Sequence, residues 1–186
     1  MLVELGHFAL VLALVVAVLQ FIVPIIGVWR GHAGAQSVAR NAAYLQLLLL
    51  LFSFGMLTLA FINNDFTIDY VARQSNTMLP VWYKVSAVWG GHEGSLLLWA
   101  LVLALWSSAV ARFSRSLPRD MIARVLAILG SISVAFILFI LLTSNPFRRL
   151  LPDFPPDGND LNPLLQDPGL IFHPPMLYMG YVGFAV

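Results

Sequence analysis

Residues 5–29 read LGHFALVLALVVAVLQFIVPIIGVW, an apolar run without a charged side chain. A helix needs about 20 mostly apolar residues to cross the hydrocarbon core of a bilayer. A cleavable signal peptide has a basic start and an apolar core of only about 7–15 residues. Here the run is longer, and the only charge before it is Glu4. The sequence therefore predicts a retained transmembrane helix over 5–29.

The composition extends this prediction to the whole chain. Of the 186 residues, 60% are hydrophobic and only 10% are charged, whereas soluble domains carry about 25% charged residues. Further apolar runs predict spans at about 42–62, 95–111, 121–143 and, incompletely, 175–186. We expect an all-α polytopic transmembrane helix bundle, a single membrane domain over 1–186. It has four complete spans and the start of a fifth, which is too short to cross.

Charge and cysteine content limit the possible functions. The net charge of +1 gives no reason to expect a nucleic acid partner, and membrane lipid is the expected surrounding. The chain has no cysteine, which excludes thiol chemistry and Cys-ligated metals within it. The four histidines are therefore the best candidates for binding a metal ion.

The basic residues predict the orientation of the bundle, because Lys and Arg in short loops stay in the cytoplasm. Two links lie on one side of the membrane, between the first and second spans and between the third and fourth. Six arginines are assigned to this side: Arg30, Arg40, Arg112, Arg115, Arg119 and Arg124. Four basic residues fall in longer loops on the other side: Arg73, Lys84, Arg148 and Arg149. We therefore expect the N-terminus and the loops 63–94 and 144–174 to lie outside. The aromatic residues of the first outer loop, including Tyr70 and Trp82, suit the level of the lipid headgroups.

One histidine stands directly before two prolines, in LIFHPPMLYMG (170–180). A residue before proline is biased towards extended backbone, and proline suits the first position of a helix. We therefore expect His173 to be extended at the outer membrane surface, with a helix beginning at Pro175. A histidine held in this way suits the axial position of haem iron. The alternative is a histidine that only makes hydrogen bonds at the interface.

A second candidate site is WGGHEGSLLLW (89–99), at the outer start of the third span. Its glycines allow tight turns or the close approach of a flat ligand. Glu93 suits the positive end of a helix dipole, and His92 could be a ligand, a proton carrier or a cap. Trp89 is the third candidate binding residue here. The simpler interpretation is a helix start with a glycine hinge.

Two other groups of residues allow two interpretations each. Arg148 and Arg149 could pair with haem propionates, because arginine binds carboxylates in a bidentate manner. They could equally extend towards lipid phosphates. The stripe formed by Leu96, Trp99, Leu103 and Trp106 recurs at helical spacing and indicates a packing face more often than a cofactor platform.

WGGHEGSLLLW, followed some 70 residues later by NPLLQDPGLIFHPPMLYMGYVGFAV (162–186), resembles the CcmF family of bacterial cytochrome c maturation proteins. The resemblance covers the whole chain but only the N-terminal part of a family member. It implies that His173 is an axial ligand of the incoming haem iron. It also implies that a tryptophan-rich haem-handling segment and further histidines belong to a part that follows residue 186. The chain is therefore expected to be incomplete as a catalyst.

The resemblance further implies a haem lyase that attaches haem b covalently to apocytochrome c at the outer face of the bacterial inner membrane. The reaction forms thioether bonds between haem vinyl groups and the cysteines of a CxxCH segment. The implied partners are a haem chaperone, apocytochrome c with its thiol-handling and presenting subunits, and the remaining C-terminal part of the lyase. The catalytic residues stay unassigned.

A proton- or ion-coupled transporter is the alternative, because His92 and Glu93 lie near the membrane. A purely structural scaffold is the third.

Overall fold

The long apolar runs fold as helices in the computed structural model, which describes residues 2–114 and 116–186, apart from the side chains of Leu2 and Leu164. The described residues form seven α-helices: α1 Leu2–Trp29, α2 Ala33–Ile62, α3 Asp69–Gln74, α4 Val81–Ala87, α5 His92–Phe113, α6 Arg119–Thr143 and α7 Pro168–Gly183. A 3₁₀ turn at Pro163–Gln166 precedes α7. Helices α1, α2, α5 and α6 are long and apolar enough to cross a membrane. The all-α polytopic bundle is confirmed.

The second helix begins nine residues before the predicted span. The segment 31–41, predicted to be a loop, is mostly the first part of α2, and the reversal after α1 takes only Arg30–His32. Gly31 makes this reversal possible with a φ of +65°, a conformation that side chains other than glycine rarely adopt. An apolar run marks the part of a helix that lies in lipid, whereas the helix itself continues as long as its hydrogen bonds are satisfied.

Close contacts between small residues hold the long helices together. A Cβ added at Gly27 would lie 2.7 Å from the Cβ of Ala35, so α1 and α2 approach closely near their link. A Cβ at Gly130 would lie 3.0 Å from the backbone nitrogen of Phe21, so α1 and α6 also approach closely. Gln20 donates a hydrogen bond to the Leu126 carbonyl across the same contact at 2.9 Å. Such contacts are typical of helix association in membranes.

The two long loops pack on each other at one end of the bundle and form a loop cap (63–91 and 144–167). The Leu150 N–H donates to the Thr67 carbonyl at 2.8 Å, and the Asp69 N–H donates to the Arg148 carbonyl at 3.0 Å. Thr77 donates to the Asp157 carboxylate, and its hydroxyl is the main cause that holds the pKa of that carboxyl below its usual range. Hydrogen bonds of the backbone and of side chains therefore join the two loops to each other.

The orientation of the bundle can be tested by cysteine labelling, because the chain has no cysteine of its own. The arginine distribution predicts that Gly34→Cys reacts only from the cytoplasmic side and Asp153→Cys only from the outside. Both positions are exposed. A membrane-impermeant maleimide applied to spheroplasts and to inverted vesicles separates the two. Labelling of both from the same side would contradict the bundle topology, and the reverse pattern would contradict the orientation. Arg115, one of the six arginines, lies outside the described residues.

Candidate functional site

The turn that leads into α5 is built around the buried hydroxyl of Tyr70. This hydroxyl lies 2.9 Å from the carbonyl oxygen of Val88 and accepts a hydrogen bond from the Gly91 N–H at 3.0 Å. Burial raises the pKa of Tyr70 above its usual range, so it stays a neutral donor. Tyr70 is only 1% exposed and therefore does not belong to a headgroup belt. It joins α3 to both sides of the turn between α4 and α5.

The glycines of this turn are required because Tyr70 approaches so closely. A Cβ at Gly91 would lie 2.6 Å from the ring of Tyr70. A Cβ at Gly94 would lie 2.7 Å from the Tyr70 hydroxyl and would overlap the carbonyl oxygen of Val88. Real Cβ atoms essentially never show such contacts. The glycines therefore serve tight packing inside the protein, and the simpler interpretation of the motif accounts for them.

Glu93, in the first turn of α5, is paired with an arginine of the loop cap. Its carboxylate accepts a hydrogen bond from the Arg73 guanidinium at 2.6 Å, and Asp69 lies 3.1 Å from the same guanidinium. The hydrogen bond with Glu93 is the main cause that raises the pKa of Arg73. His92, the neighbouring residue, is exposed at the start of α5. Of the two, only His92 therefore presents its side chain to the surroundings.

The backbone of His173 is helical, and the prediction of an extended step before Pro174 is wrong. Helix α7 begins at Pro168, six residues before the double proline. Asp167 caps it, because its carboxylate accepts hydrogen bonds from the N–H groups of Gly169 and Leu170. Proline disfavours but does not forbid a helical residue before it. A strong cap and a proline at the first position begin the helix early, and it then continues through the double proline.

The double proline leaves backbone carbonyls of α7 without their helical donors. The side chain of a tryptophan donates to one of these carbonyls instead. Pro175 has no N–H to donate to the Ile171 carbonyl, four residues earlier. The indole N–H of Trp89 donates to that carbonyl at 3.1 Å. A second indole, that of Trp106 in α5, donates to the Met179 carbonyl at 3.1 Å. Two tryptophans thus fasten α7 to the loop cap and to α5.

This attachment turns His173 away from the bundle. Ile171 and Pro175 face the bundle, and the residue midway between them lies on the opposite side of a helix that turns about 100° per residue. His173 is accordingly exposed, as are Met176, Leu177 and Gly180, which follow it at helical spacing. In contrast, Val182 on the inner side is fully buried. His173 therefore stands on an exposed and largely apolar helix face, the outward face of α7 (173, 176, 177 and 180).

An aromatic groove of about 670 Å³ lies on the other side of α7. Its lining includes Trp82, Tyr83, Trp89, Ile171, Phe172 and Pro175. Its volume falls in the usual range of small-molecule sites. Because Ile171 and Pro175 line it, the groove and His173 occupy opposite sides of the same helix.

The two arginines predicted as propionate partners differ in their surroundings. Arg149 is half-buried, and its guanidinium pairs with Glu4 and, at 3.5 Å, with Asp65. It therefore ties the loop cap to the start of α1, which is a different task from the one predicted. Arg148 is exposed. Among the described residues, no hydrogen bond or ion pair joins either arginine to His173.

The structure thus brings together Trp89 and the helix that carries His173. In the described part of the chain, no hydrogen bond or ion pair joins His173 to the other predicted site residues, which are His92, Glu93, Arg148 and Arg149. Asp167 is not among the residues predicted from the sequence, although aspartate before proline is a known signal for a helix start. Trp106 is predicted only as part of a packing stripe. In that stripe, Trp99 does stack on Phe136 of α6 with ring centroids 3.8 Å apart.

Residues 89–186 match the protein family described as cytochrome C assembly protein. The matched range begins at Trp89 and contains α5, α6 and α7. It therefore includes both of the segments in which the sequence analysis placed its candidate histidines.

The chain is also similar to longer proteins along almost its whole length. It is 62% identical over 183 residues to the cytochrome c-type biogenesis protein CcmF of Pseudomonas aeruginosa and 58% identical to that of Escherichia coli. Each alignment covers 98% of this chain but 28% of the relative. A solved structure, cytochrome c haem lyase CcmF, matches all of this chain and 29% of its own with a TM-score of 0.85 at 27% identity. The chain thus spans less than a third of these relatives.

The glycine requirement predicts a large difference between two alanine substitutions. Gly94→Ala should lower the free energy of unfolding by about 3 kcal/mol, the upper end for overpacking, because the backbone of Val88 must move. Gly55→Ala, in α2 with open space around it, should leave stability unchanged or raise it by up to about 1 kcal/mol. Denaturant unfolding in detergent micelles gives both values. Equal stability of the two variants would contradict the packing around Tyr70.

The contact between Trp89 and Ile171 predicts non-additive effects of two substitutions. Trp89→Phe removes the indole donor and leaves the Ile171 carbonyl unpaired. The free energy of opening of α7, measured by hydrogen exchange, should therefore fall by about 1–3 kcal/mol. Pro175→Ala supplies a backbone N–H to the same carbonyl. In the Pro175→Ala background, Trp89→Phe should therefore lower the free energy of opening of α7 by much less.

Trp106→Phe is the matched control, because its acceptor, Met179, does not depend on Pro175. Its effect on the protection of α7 should be the same with proline or alanine at position 175. If Trp89→Phe behaves additively in the same way, the indole does not replace the helical donor that Pro175 lacks.

Proposed function

Because the chain belongs to the cytochrome C assembly protein family, we propose that it forms part of a haem lyase of cytochrome c maturation. In this proposal it receives haem b, as substrate, at the outer face of the cytoplasmic membrane and helps to attach it to apocytochrome c. The observation that carries the proposal is the exposed imidazole of His173 on a helix that two indoles hold against the bundle.

The surroundings of His173 suit an axial ligand of haem iron. A porphyrin is flat and largely apolar, and the outward face of α7 offers Met176 and Leu177 one helical turn from the imidazole. The fixed position of α7 reduces the freedom that the imidazole loses when it binds the iron. Arg148, exposed in the loop cap, remains a candidate for pairing with propionates. His92 remains a candidate for a second contact from the start of α5.

The proposed chemistry does not require a reactive side chain from this chain. Each thioether bond forms when a cysteine S–H of apocytochrome c adds across a haem vinyl group, so no leaving group is released. The chain would hold the haem and orient its edge, and axial ligation is a usual means by which a protein controls haem iron. The proposed partners are a haem chaperone, the thiol-handling subunits that present apocytochrome c, and the remaining C-terminal part of the lyase.

A transporter based on His92 and Glu93 has little support in the described residues. Glu93 forms an ion pair with Arg73 of the loop cap. The polar side chains buried among the long helices are amides and hydroxyls, namely those of Gln20, Gln46, Ser53, Ser107, Ser108 and Ser133. Proton relays through membranes generally use ionisable groups. Haem handling therefore remains the favoured function.

The proposed ligand can be tested with His173→Ala in the complete maturation assembly. The variant should insert normally, because no span loses apolar length. It should capture at least tenfold less haem and mature correspondingly less cytochrome c, because the iron loses a ligand. Added imidazole should restore part of the haem spectrum in the alanine variant. Absorbance of the Soret band on purified assembly measures haem capture.

His32→Ala is the control at the other end of the bundle. His32 is exposed, and its ring nitrogen lies 3.0 Å from the Arg30 carbonyl. This substitution should leave haem capture unchanged. If His173→Ala retains haem and matures cytochrome c as well as the parent protein does, the ligand assignment is wrong.

A further inference from the structure

A cavity of about 510 Å³ lies at the end of the bundle opposite the loop cap, between the first turns of α2 and α6. Its rim is polar and includes Gln36, Ser37 and Arg40 of α2 and Arg119 of α6. Its apolar wall is formed by Leu117, Ile122, Ala123 and Leu126. The cavity therefore combines hydrogen-bond donors and positive charge at its mouth with an apolar interior.

The two arginines at this cavity have no ion-pair partner among the described residues. This distinguishes them from two arginines of the loop cap, Arg73 and Arg149. There, Arg73 pairs with Glu93 and Asp69, and Arg149 pairs with Glu4 and Asp65. Arg40 is only partly exposed and Arg119 lies at the surface. The guanidinium groups at the cavity are thus available to an anion from outside the chain.

Backbone groups add hydrogen-bond donors beside the cavity, and Asp120, in the first turn of α6, is not among the residues that line it. Helices α2 and α6 both begin beside it, and neither His32 nor Pro118, their capping residues, makes a side-chain hydrogen bond to the first turn. The first N–H groups of a helix attract anions. With the two arginines, they give a cavity whose donors suit the oxygens of a phosphate group.

We propose that this cavity binds the phosphate of an anionic phospholipid, with Arg40 and Arg119 on the headgroup and Leu117, together with the edge of Ile122, against the glycerol and the first part of the acyl chains. The shared chemistry is that of a phosphate, which free phosphate also offers. The apolar wall favours the lipid, because a free phosphate would need polar donors on all sides. The location at the end of membrane-spanning helices places the cavity where headgroups lie.

Native mass spectrometry of the complete assembly can test this site. The assembly is delipidated and then exposed to palmitoyl-oleoyl phosphatidylglycerol or to the matched phosphatidylcholine. We expect preferential retention of phosphatidylglycerol. Arg40→Gln and Arg119→Gln should each weaken it by about fivefold, as expected for one basic residue near a lipid surface. The two substitutions together should weaken it further.

The matched control is Arg112→Gln with Arg124→Gln, which removes the same charge at exposed positions that do not line the cavity. These variants should change retention by less than twofold. Equal losses in both pairs would mean that diffuse surface charge attracts the lipid, and would overturn the site. Binding of inorganic phosphate in the absence of phosphatidylglycerol retention would overturn the lipid assignment. Failure to prefer phosphatidylglycerol over phosphatidylcholine would do the same.

Discussion

A backbone carbonyl in or near hydrocarbon must find a donor, and this requirement shapes the part of the molecule that carries His173. Two prolines inside α7, Pro174 and Pro175, remove two helical donors. The chain does not end the helix there. Instead, the Trp89 indole donates to the Ile171 carbonyl, which belongs to the first turn of α7. The same contact fixes which side of α7 faces the bundle and therefore turns His173 outward.

The position of Trp89 depends in turn on a polar contact deeper in the loop cap. The Tyr70 hydroxyl holds the Val88 carbonyl and the Gly91 N–H, on either side of Trp89 and Gly90. Ser95 donates to the Trp89 carbonyl at 2.7 Å from the first turn of α5. A tyrosine in α3 thus controls the geometry of α7 through one tryptophan. This chain of contacts explains why Trp89 is followed by glycines at positions that Tyr70 approaches, Gly91 and Gly94.

The spans were predictable from the sequence, because length and hydropathy reflect the bilayer rather than any particular tertiary contact. The backbone of His173 was not. A local rule about residues before proline competes with a strong helix start at Asp167 and Pro168, and with a donor that lies 82 residues away in sequence. The burial of Tyr70 was missed for the same reason, since its partners are set by tertiary structure. Arg148 and Arg149 were predicted to share one role, the pairing with propionates. Arg149 instead pairs with Glu4 and Asp65, which come from distant segments.

Two arginines of the loop cap and two arginines at the opposite end of the bundle differ in their partners. In the loop cap, Arg73 and Arg149 are paired within the chain and hold segments together. At the other end, Arg40 and Arg119 border a cavity without an ion-pair partner in the described ranges. Paired charges fix a geometry, whereas unpaired charges beside an apolar cavity attract an external anion. The paired arginines of the loop cap therefore hold segments of this chain together, whereas Arg40 and Arg119 are open to an anion from outside it.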